Sequence, residues 1–294
     1  MINLIRMSDL TTEQVYGLIH RALALKAGSP PLHRSDLFVS NLFFEHSTRT
    51  KHSFEVAEQK LGLRVINFDA DTSSVNKGES LYDTCQTMAA IGCQVLVIRH
   101  PKENYYTDEL AGLTVPVING GDGSGEHPSQ CLLDLMTIYE RFGRIEGLRV
   151  AIVGDIKHSR VARSNYHTLK RLGATVVFVG PEAFEDKTLG EMVDFDTVLP
   201  ELDVCMLLRL QHERHFGTKL SDITSYHQAY GLTLERYKKL KQEVIVMHPA
   251  PVNRGAEIAS QLVEADKSVI FDQMTNGVFM RQAILEHIIT GNNL

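Results

Sequence analysis

Side chains that bind anions follow several short apolar runs along the chain. Ser47-Thr48-Arg49-Thr50 comes shortly after the apolar run that ends at Phe44. At the start of a predicted helix, three hydroxyl groups and a guanidinium would hold a phosphate together with the helix's own free N–H groups. Ser47 is predicted to be the N-cap residue of this helix. An ordinary capped helix with a surface arginine is the alternative, and the spacing alone leaves both open.

Other predicted strands also end in polar or cationic residues. The candidates in the first half of the chain, besides this motif, are Glu45, Arg99, His127 and Gln130, and those in the second half are Arg160, Arg209, Gln211, Arg214, Pro249 and Ala250. Ligands of open parallel sheets bind at the carboxyl ends of the strands. A single arginine there is more often structural, but several in one cleft need anionic partners, and a guanidinium binds a carboxylate bidentately. The pattern predicts a pocket for more than one anion.

Two further segments could act on such a ligand. His127 precedes a predicted helix start, where the dipole disfavours the imidazolium form and a neutral imidazole can polarise a carbonyl oxygen. A capping histidine is the alternative. The polar loop that contains Ser73 and Lys77 could close over an anion or remain a solvated loop. It is not a P-loop, because G-x-x-x-x-G-K-[ST] is absent.

The composition excludes several classes of protein. The chain has 294 residues, 43% hydrophobic and 22% charged, with a formal charge of −6. These values exclude intrinsic disorder and speak against a nucleic-acid binder. No apolar run approaches the roughly 20 residues that span a bilayer, and a signal peptide is not evident, so we expect a protein that stays inside the cell.

Cysteine and glycine patterns narrow the chemistry further. The four cysteines form no C-x-x-C pair and are expected to be buried thiols, and the histidines show no spacing typical of a metal site. The strand that ends at Val153 is followed by Gly154 and Asp155 without G-x-G-x-x-G, which argues against nicotinamide or flavin binding. We therefore expect no metal and no cofactor.

The elements that must position these residues alternate along the chain. The predicted strands are Phe38–Phe44, Arg64–Phe68, Val95–Ile98, Val115–Ile118, Arg149–Val153, Thr175–Val179, Val204–Leu208 and Val244–Met247. Amphipathic helices between near-continuous Val, Ile and Leu runs predict an α/β protein whose parallel sheets are flanked by helices. The segment 120–125 is predicted to be a loop, and a helix from Pro128 to about Phe142 follows it. We predict two domains, residues 1–135 and 136–277, and a last helix from about Val278.

Taken together, these segments resemble the transcarbamylase family, most closely its catalytic chains that use aspartate. The motifs that carry the resemblance are Ser47-Thr48-Arg49-Thr50, Lys77-Gly78-Glu79, Arg99-His100-Pro101, His127-Pro128-Ser129-Gln130, Arg160, Arg209-x-Gln211 and His248-Pro249-x-Pro251. They occur in family order and spacing over essentially the whole chain. The resemblance implies transfer of a carbamoyl group from carbamoyl phosphate to L-aspartate, an early step of pyrimidine biosynthesis, with the active site in a cleft between the domains.

The resemblance also implies a role for each candidate. The phosphate would be bound by Ser47, Thr48, Arg49, Thr50 and Arg99, and the carbamoyl oxygen would be faced by Thr50, Arg99 and His127. The carbamoyl nitrogen or the amine would be contacted by Gln130, Pro249 and Ala250. Aspartate would be bound by Arg160, Arg209 and Gln211. Ser73 and Lys77 would come from a neighbouring subunit, and Lys77 would also bind aspartate. The smallest active assembly would therefore be a homotrimer, which we expect in the cytoplasm. Glu45 would pair with Arg160 and Arg214 when the domains close, and the final helix would pack on the first domain.

Two alternatives to an aspartate-using enzyme remain: an enzyme for another amino acid, and a protein without catalytic activity. The ornithine-using transcarbamylases share the phosphate half, but their D-x-x-x-S-M-G and H-C-L-P motifs are absent, and Arg209-Leu210-Gln211 suits an anionic side chain. A non-catalytic anion-binding homologue would keep the pockets without the reaction. Association with regulatory chains or other enzymes of the pathway stays open.

Overall fold

The structure is a computed structural model that describes residues 1–69, 78–107, 110–210 and 223–294. The chain forms two compact units. Unit 1 comprises Met1–Met136 with Met274–Leu294, and unit 2 comprises Thr137–Gln273. Each unit contains a four-stranded parallel sheet with helices around it, so the predicted fold class is confirmed for each.

Unit 1 is built around the sheet order β2-β1-β3-β4. Its elements in chain order are α1 Thr12–Lys26, β1 Phe38–Phe43, α2 Thr48–Lys60, β2 Arg64–Asp69, α3 Leu81–Ala90, β3 Val95–His100, β4 Val117–Asp122 and the start of α4, Pro128–Phe142. Helix α4 continues into unit 2. The first five residues of β3, and all six of β4, are buried. The burial of β3 explains the continuous apolar run Val95–Ile98, because a parallel sheet is covered on both faces.

Unit 2 is built around the sheet order β6-β5-β7-β8. Its elements are β5 Arg149–Val153, α5 Arg160–Arg171, β6 Thr175–Val179, α6 Phe195–Val198, β7 Val204–Leu207, α7 Ile223–Tyr230, α8 Leu234–Lys239 and β8 Ile245–Met247. The last helix, α9 Ile270–Gly291, begins in unit 2 and ends in unit 1. The core of this unit gathers buried residues from all four strands with those of the surrounding helices and loops.

Two predicted elements differ from the structure. Gly120, Gly121 and Asp122 belong to β4, not to a loop, because the pairing with β3 resumes at His100 and Asp122 after a shift in register beyond Ile98. Helix α9 begins at Ile270, eight residues before the predicted start, because buried polar residues such as Asn276 interrupt its apolar pattern.

The structure also bears on thiols and membranes. All four cysteines are free and buried, as predicted. Burial raises the pKa of Cys85 and of Cys205 to about 12, which keeps both as neutral thiols. In the described ranges, no helix combines the length and apolar character needed to cross a membrane.

Candidate active site

In unit 1, three strand ends meet at the side chain of Arg99. Its Nη1 donates to the carbonyl oxygen of Gly120 at 3.2 Å and lies 3.5 Å from Nε2 of His127. Its Nη2 lies 2.9 Å from a carboxylate oxygen of Glu45, and its backbone is in register with Phe43. Arg99 is 7% exposed. A buried guanidinium at this junction is a strong anchor for an anion that can compete with Glu45.

The start of α2 lies next to this strand edge. Ser47 is the N-cap residue, as predicted, but its hydroxyl makes no capping hydrogen bond. Thr48 and Arg49 are exposed, and Thr50 is buried. Because the Ser47 side chain is not used by the helix, its hydroxyl and the N–H groups of the first turn are suited to an external anion.

His127 is held between β4 and α4. It is buried, and its carbonyl oxygen accepts from the backbone N–H groups of Gln130 at 3.0 Å and Cys131 at 3.1 Å. Pro128 occupies the first position of α4, where the absence of an N–H costs nothing. The imidazole thus lies at the positive end of α4 beside the Arg99 cation, a place suited to donating to a negative oxygen.

A buried carboxylate that the sequence analysis missed shapes the loop before His127. Asp122 is fully buried, and its Oδ2 accepts from the backbone N–H of Asn104 at 2.8 Å. Its Oδ1 accepts from the backbone N–H of Glu126, and its carbonyl oxygen accepts from Gly125. An aspartate among glycines was the available signal. Its three acceptors fix the path of the chain that delivers the imidazole.

Asp134 is a second buried carboxylate that the sequence analysis missed, and it lies one turn after Gln130 in α4. Nε2 of Gln130 donates to Oδ1 of Asp134 at 2.9 Å, and the two residues are 9% and 1% exposed. Arg281 of α9 is 3% exposed and donates through Nη2 to Oγ of Ser129 at 3.3 Å. Its guanidinium also lies 5.0 Å from the ring centre of Phe54. Burial lowers the pKa of Arg281 to about 9, and the charge of Asp134 opposes that shift.

A buried acid–amide pair connects α2 to strand β1. Glu58 in α2 is fully buried, and its Oε2 accepts from Nδ2 of Asn41 in β1 at 2.8 Å. Burial raises the pKa of Glu58 to about 8. Oε1 of Glu58 and Oδ1 of Asn41 make no hydrogen bond within the described part of the chain. A protonated carboxyl group is uncharged and can donate as well as accept, so the neutral acid suits this buried position.

In unit 2, the segments that follow β5, β7 and β8 all start at the same edge of the sheet, where the carboxyl ends of these strands lie. Val153 is in register with Leu207, and Met206 with Met247, so these three strands end side by side. Arg160 begins α5 after the β5 segment, and its helix is capped by the hydroxyl of Ser159. Arg160 and Arg209 follow β5 and β7 at this edge, and both are partly exposed.

Glu257 ties two of these segments together. Its Oε1 accepts from the backbone N–H of Leu210 at 2.7 Å and from Nδ2 of Asn253 at 2.8 Å. Its Oε2 accepts from the backbone N–H of Asn253 at 2.8 Å. Burial raises the pKa of Glu257 against the effect of these hydrogen bonds. The segment with Arg209 is thereby fixed to the segment with Ala250.

The segment after β8 has an unusual backbone path. His248 donates its N–H to Oε1 of Gln273 at 2.8 Å, and its Nδ1 accepts from the N–H of Ala250 at 2.8 Å. Ala250 has φ of 55°, and the Ala250–Pro251 peptide bond is cis. Pro249 and Ala250 are both partly exposed, and their carbonyl groups are suited to accept hydrogen bonds.

The predicted residues divide between the two units. Unit 1 holds Glu45, Ser47, Thr48, Arg49, Thr50, Arg99, His127 and Gln130, and unit 2 holds Arg160, Arg209, Pro249 and Ala250. Ser73, Lys77, Gln211 and Arg214 lie outside the described residues. Glu45 contacts Arg99 of its own unit. In residues 1–69, 78–107, 110–210 and 223–294, no cluster of three or more His, Cys, Asp or Glu could hold a metal ion.

Comparison with protein families assigns both halves of the chain. Residues 3–140 match the carbamoyl-P binding domain of aspartate/ornithine carbamoyltransferase, and residues 146–288 match the Asp/Orn binding domain. The two matches together cover nearly the whole chain. The chain belongs to the aspartate/ornithine carbamoyltransferase family.

Individual relatives within this family are aspartate enzymes. The chain is 61% identical over 297 residues to the aspartate carbamoyltransferase catalytic subunit of Fusobacterium nucleatum, across 100% of this chain and 97% of the relative. It is 60% identical to the subunit of the same name from Malacoplasma penetrans, across 100% of this chain and 98% of that relative.

Solved structures of such enzymes share the fold. Aspartate transcarbamoylase from Trypanosoma cruzi, in complex with N-(phosphonacetyl)-L-aspartic acid, is similar with a TM-score of 0.88 and 32% identity, across 96% of this chain and 94% of that chain. The catalytic subunit of M. jannaschii aspartate transcarbamoylase gives a TM-score of 0.86 at 32% identity, across 100% and 99% of the two chains.

Proposed function

We propose that the chain transfers the carbamoyl group of carbamoyl phosphate to the amino group of L-aspartate, giving N-carbamoyl-L-aspartate and phosphate for pyrimidine biosynthesis. The observation that carries this assignment is 61% identity over the full length to an aspartate carbamoyltransferase catalytic subunit. The chain is a transferase. Unit 1 takes the carbamoyl phosphate and unit 2 takes the amino acid.

The donors of unit 1 suit the phosphate and the reacting carbonyl group. The hydroxyls of Ser47 and Thr48, the first turn of α2 and the side chain of Arg49 bind the phosphate, together with Arg99. Carbamoyl phosphate displaces Glu45 from Arg99, since both are anions and the guanidinium is buried. The released carboxylate of Glu45 then forms the predicted ion pairs with Arg160 and Arg214.

Catalysis comes from positioning and from charge stabilisation. The neutral amine of aspartate attacks the carbamoyl carbon, a C–N bond forms, the C–O bond to phosphate breaks, and the proton lost by the amine leaves with the phosphate. Negative charge develops on the carbamoyl oxygen, where Thr50, Arg99 and His127 donate hydrogen bonds. No side-chain nucleophile is required, because the substrate amine is itself the nucleophile.

The donors and acceptors of unit 2 select the amino acid. Arg160 binds the α-carboxylate of aspartate, and Arg209 with Gln211 binds the β-carboxylate. The carbonyl groups of Pro249 and Ala250 orient the amine and the carbamoyl nitrogen. A cationic side chain such as that of ornithine would meet the guanidinium of Arg209 and be repelled.

The assembly that we propose is a cytoplasmic homotrimer with shared active sites. Ser73 and Lys77 of a neighbouring subunit complete each site, and Lys77 also contacts aspartate. Four free, buried cysteines are typical of a reducing compartment. Higher assemblies with other chains of the pathway are compatible with this arrangement.

The substrate assignment predicts product with one amino acid only. Purified protein with carbamoyl phosphate should form the carbamoyl amino acid from aspartate and not from ornithine, because Arg209 repels a cationic side chain. Product itself must be measured, since carbamoyl phosphate also breaks down unaided and releases phosphate. Product from ornithine alone would leave the phosphate site intact and overturn the assignment of Arg209. Product from neither amino acid would favour the binding-protein alternative.

Shared active sites predict that two inactive variants restore activity when their subunits mix. Lys77→Ala and Arg99→Ala trimers should each be nearly inactive. Dissociation and random reassembly should place an intact Arg99 beside an intact Lys77 in about a quarter of the sites. The control is each variant reassembled with itself, which should stay inactive. Absence of recovered activity in mixtures that sediment as trimers would contradict sharing.

A further inference from the structure

We propose that Asp134 is a positioning residue that fixes the amide of Gln130 so that its oxygen accepts from the NH₂ of carbamoyl phosphate. The inference rests on the proposed function and adds a source of selectivity. An acyl phosphate with a methyl group in place of NH₂ offers no donor to that oxygen. Asp134 thereby distinguishes the carbamoyl group from an acetyl group of similar shape.

The orientation of the Gln130 amide follows from the chemistry of its neighbour. An ionised carboxylate only accepts hydrogen bonds, whereas the amide group has one accepting and one donating end. Oδ1 of Asp134 lies 2.9 Å from Nε2 of Gln130. The donating end is therefore used by Asp134, and the accepting end is left for a ligand.

The remaining contacts of Gln130 agree with this reading. Its backbone N–H donates to the carbonyl oxygen of His127 at 3.0 Å, which places it in the first turn of α4. Within the part of the chain that the structure describes, its side-chain oxygen accepts no hydrogen bond. This oxygen is not among the buried side-chain atoms that lack a partner, so it is accessible to solvent and to a ligand donor.

Asp134 is buried close to a cation of helix α9. The residue is 1% exposed, and an isolated buried carboxylate would be unstable. The charge of Asp134 stabilises the protonated guanidinium of Arg281, which is itself fixed by Ser129 and by the ring of Phe54. Helix α9 thus supplies the countercharge for a carboxylate one turn behind the predicted ligand contact.

Ordinary helix stabilisation is the alternative explanation of this pair. Glutamine and aspartate four residues apart on a helix often form a hydrogen bond that stabilises it slightly. That role would require neither burial nor a defined amide orientation. It also predicts that loss of Asp134 affects all ligands of the site equally.

The test compares three ligands on Asp134→Asn and on the unchanged protein. Affinities of carbamoyl phosphate, acetyl phosphate and inorganic phosphate are measured at one pH, the latter two as competitors of carbamoyl transfer to aspartate. An asparagine can donate as well as accept, so Gln130 is no longer held in one orientation. Carbamoyl phosphate should bind about tenfold more weakly, while acetyl phosphate and phosphate change less than about twofold. Equal weakening of all three ligands, or no change, overturns the proposal.

A second variant keeps the result decisive. Gln130→Met removes the amide and should produce the same selective loss. Adding Asp134→Asn to it should then cost nothing more, because Asp134 acts through Gln130. Additive losses in the double variant overturn the proposal, even where Asp134→Asn alone folds poorly.

The matched control is Glu58→Gln, another change of a buried acid to its amide in unit 1. Glu58 contacts Asn41 and takes no part in the predicted ligand contacts. Its ratio of carbamoyl phosphate to acetyl phosphate affinity should equal that of the unchanged protein. An unchanged protein that forms no carbamoyl aspartate overturns the proposed function and this inference together; an active one whose selectivity ignores Asp134 overturns the inference alone.

Discussion

Replacement of His127 with alanine should lower the turnover number by about 10²–10³-fold, because one donor to the developing oxyanion is lost. The imidazole is buried at the start of α4 and lies 3.5 Å from Arg99. A donor that acts mainly in the transition state affects turnover more than ground-state binding. The KM for aspartate should therefore rise by much less than turnover falls. Steady-state kinetics of product formation measure both quantities.

Two further variants separate this role from a structural one. His127→Gln keeps a donor nitrogen and should recover part of the lost turnover. His52→Ala removes an exposed imidazole from α2, where its Nδ1 lies 2.6 Å from Oε2 of Glu55, and should leave turnover unchanged. Unchanged turnover in His127→Ala would defeat the assigned role. A loss in which aspartate affinity falls as much as turnover would point to general disruption instead.

Replacement of Glu58 with glutamine should stabilise the protein increasingly between about pH 5 and pH 8. The pKa of Glu58 is about 8 in the folded protein and 4.5 in the unfolded chain. The folded state thus binds one more proton in this window, so the unchanged protein loses stability as pH rises from the lower pKa through the higher one. Each pH unit costs about 1.4 kcal/mol, so the total difference is roughly 3–4 kcal/mol.

Denaturant unfolding at pH 5, 6, 7 and 8 measures this effect as a difference between the two proteins. Glutamine keeps an oxygen that can accept from Nδ2 of Asn41, as the neutral acid does, so the two proteins should be equally stable near pH 5. Glu13→Gln is the control: Glu13 is exposed on α1, and hydrogen bonds lower its pKa, so its effect is complete below this window. A constant difference between Glu58→Gln and the unchanged protein over the four pH values would mean that Glu58 is ionised when folded.

Much of the fold is readable in the chain because parallel strands need continuous apolar sequence. Arg149–Val153 and Thr175–Val179 are predicted with their observed bounds, and so is the helix Pro128–Phe142. The predictions are wrong where a residue's role depends on a distant partner. Gly120 looks like part of a loop, yet its carbonyl oxygen meets Arg99 and the strand continues.

The apolar runs that predict the strands also predict the candidate ligand groups, because they mark where each strand ends. Residue types that donate to anions stand directly after apolar runs, and the chain order places them at strand ends before any coordinates are known. Arg99 and His127 were found in this way. What their types could not reveal is that one guanidinium contacts both Glu45 and Gly120 and lies beside His127.

The sequence by itself determined the class of fold, the alternation of strands and helices, and the set of donors suited to phosphate and carboxylate. Only the tertiary structure decided the order of the strands and the partners of the buried charges. Asp134 and Glu58 look like surface residues of amphipathic helices, but both are buried beside partners. The physical reason is that the free energy of a buried charge depends on neighbours brought together by folding, which no local pattern specifies.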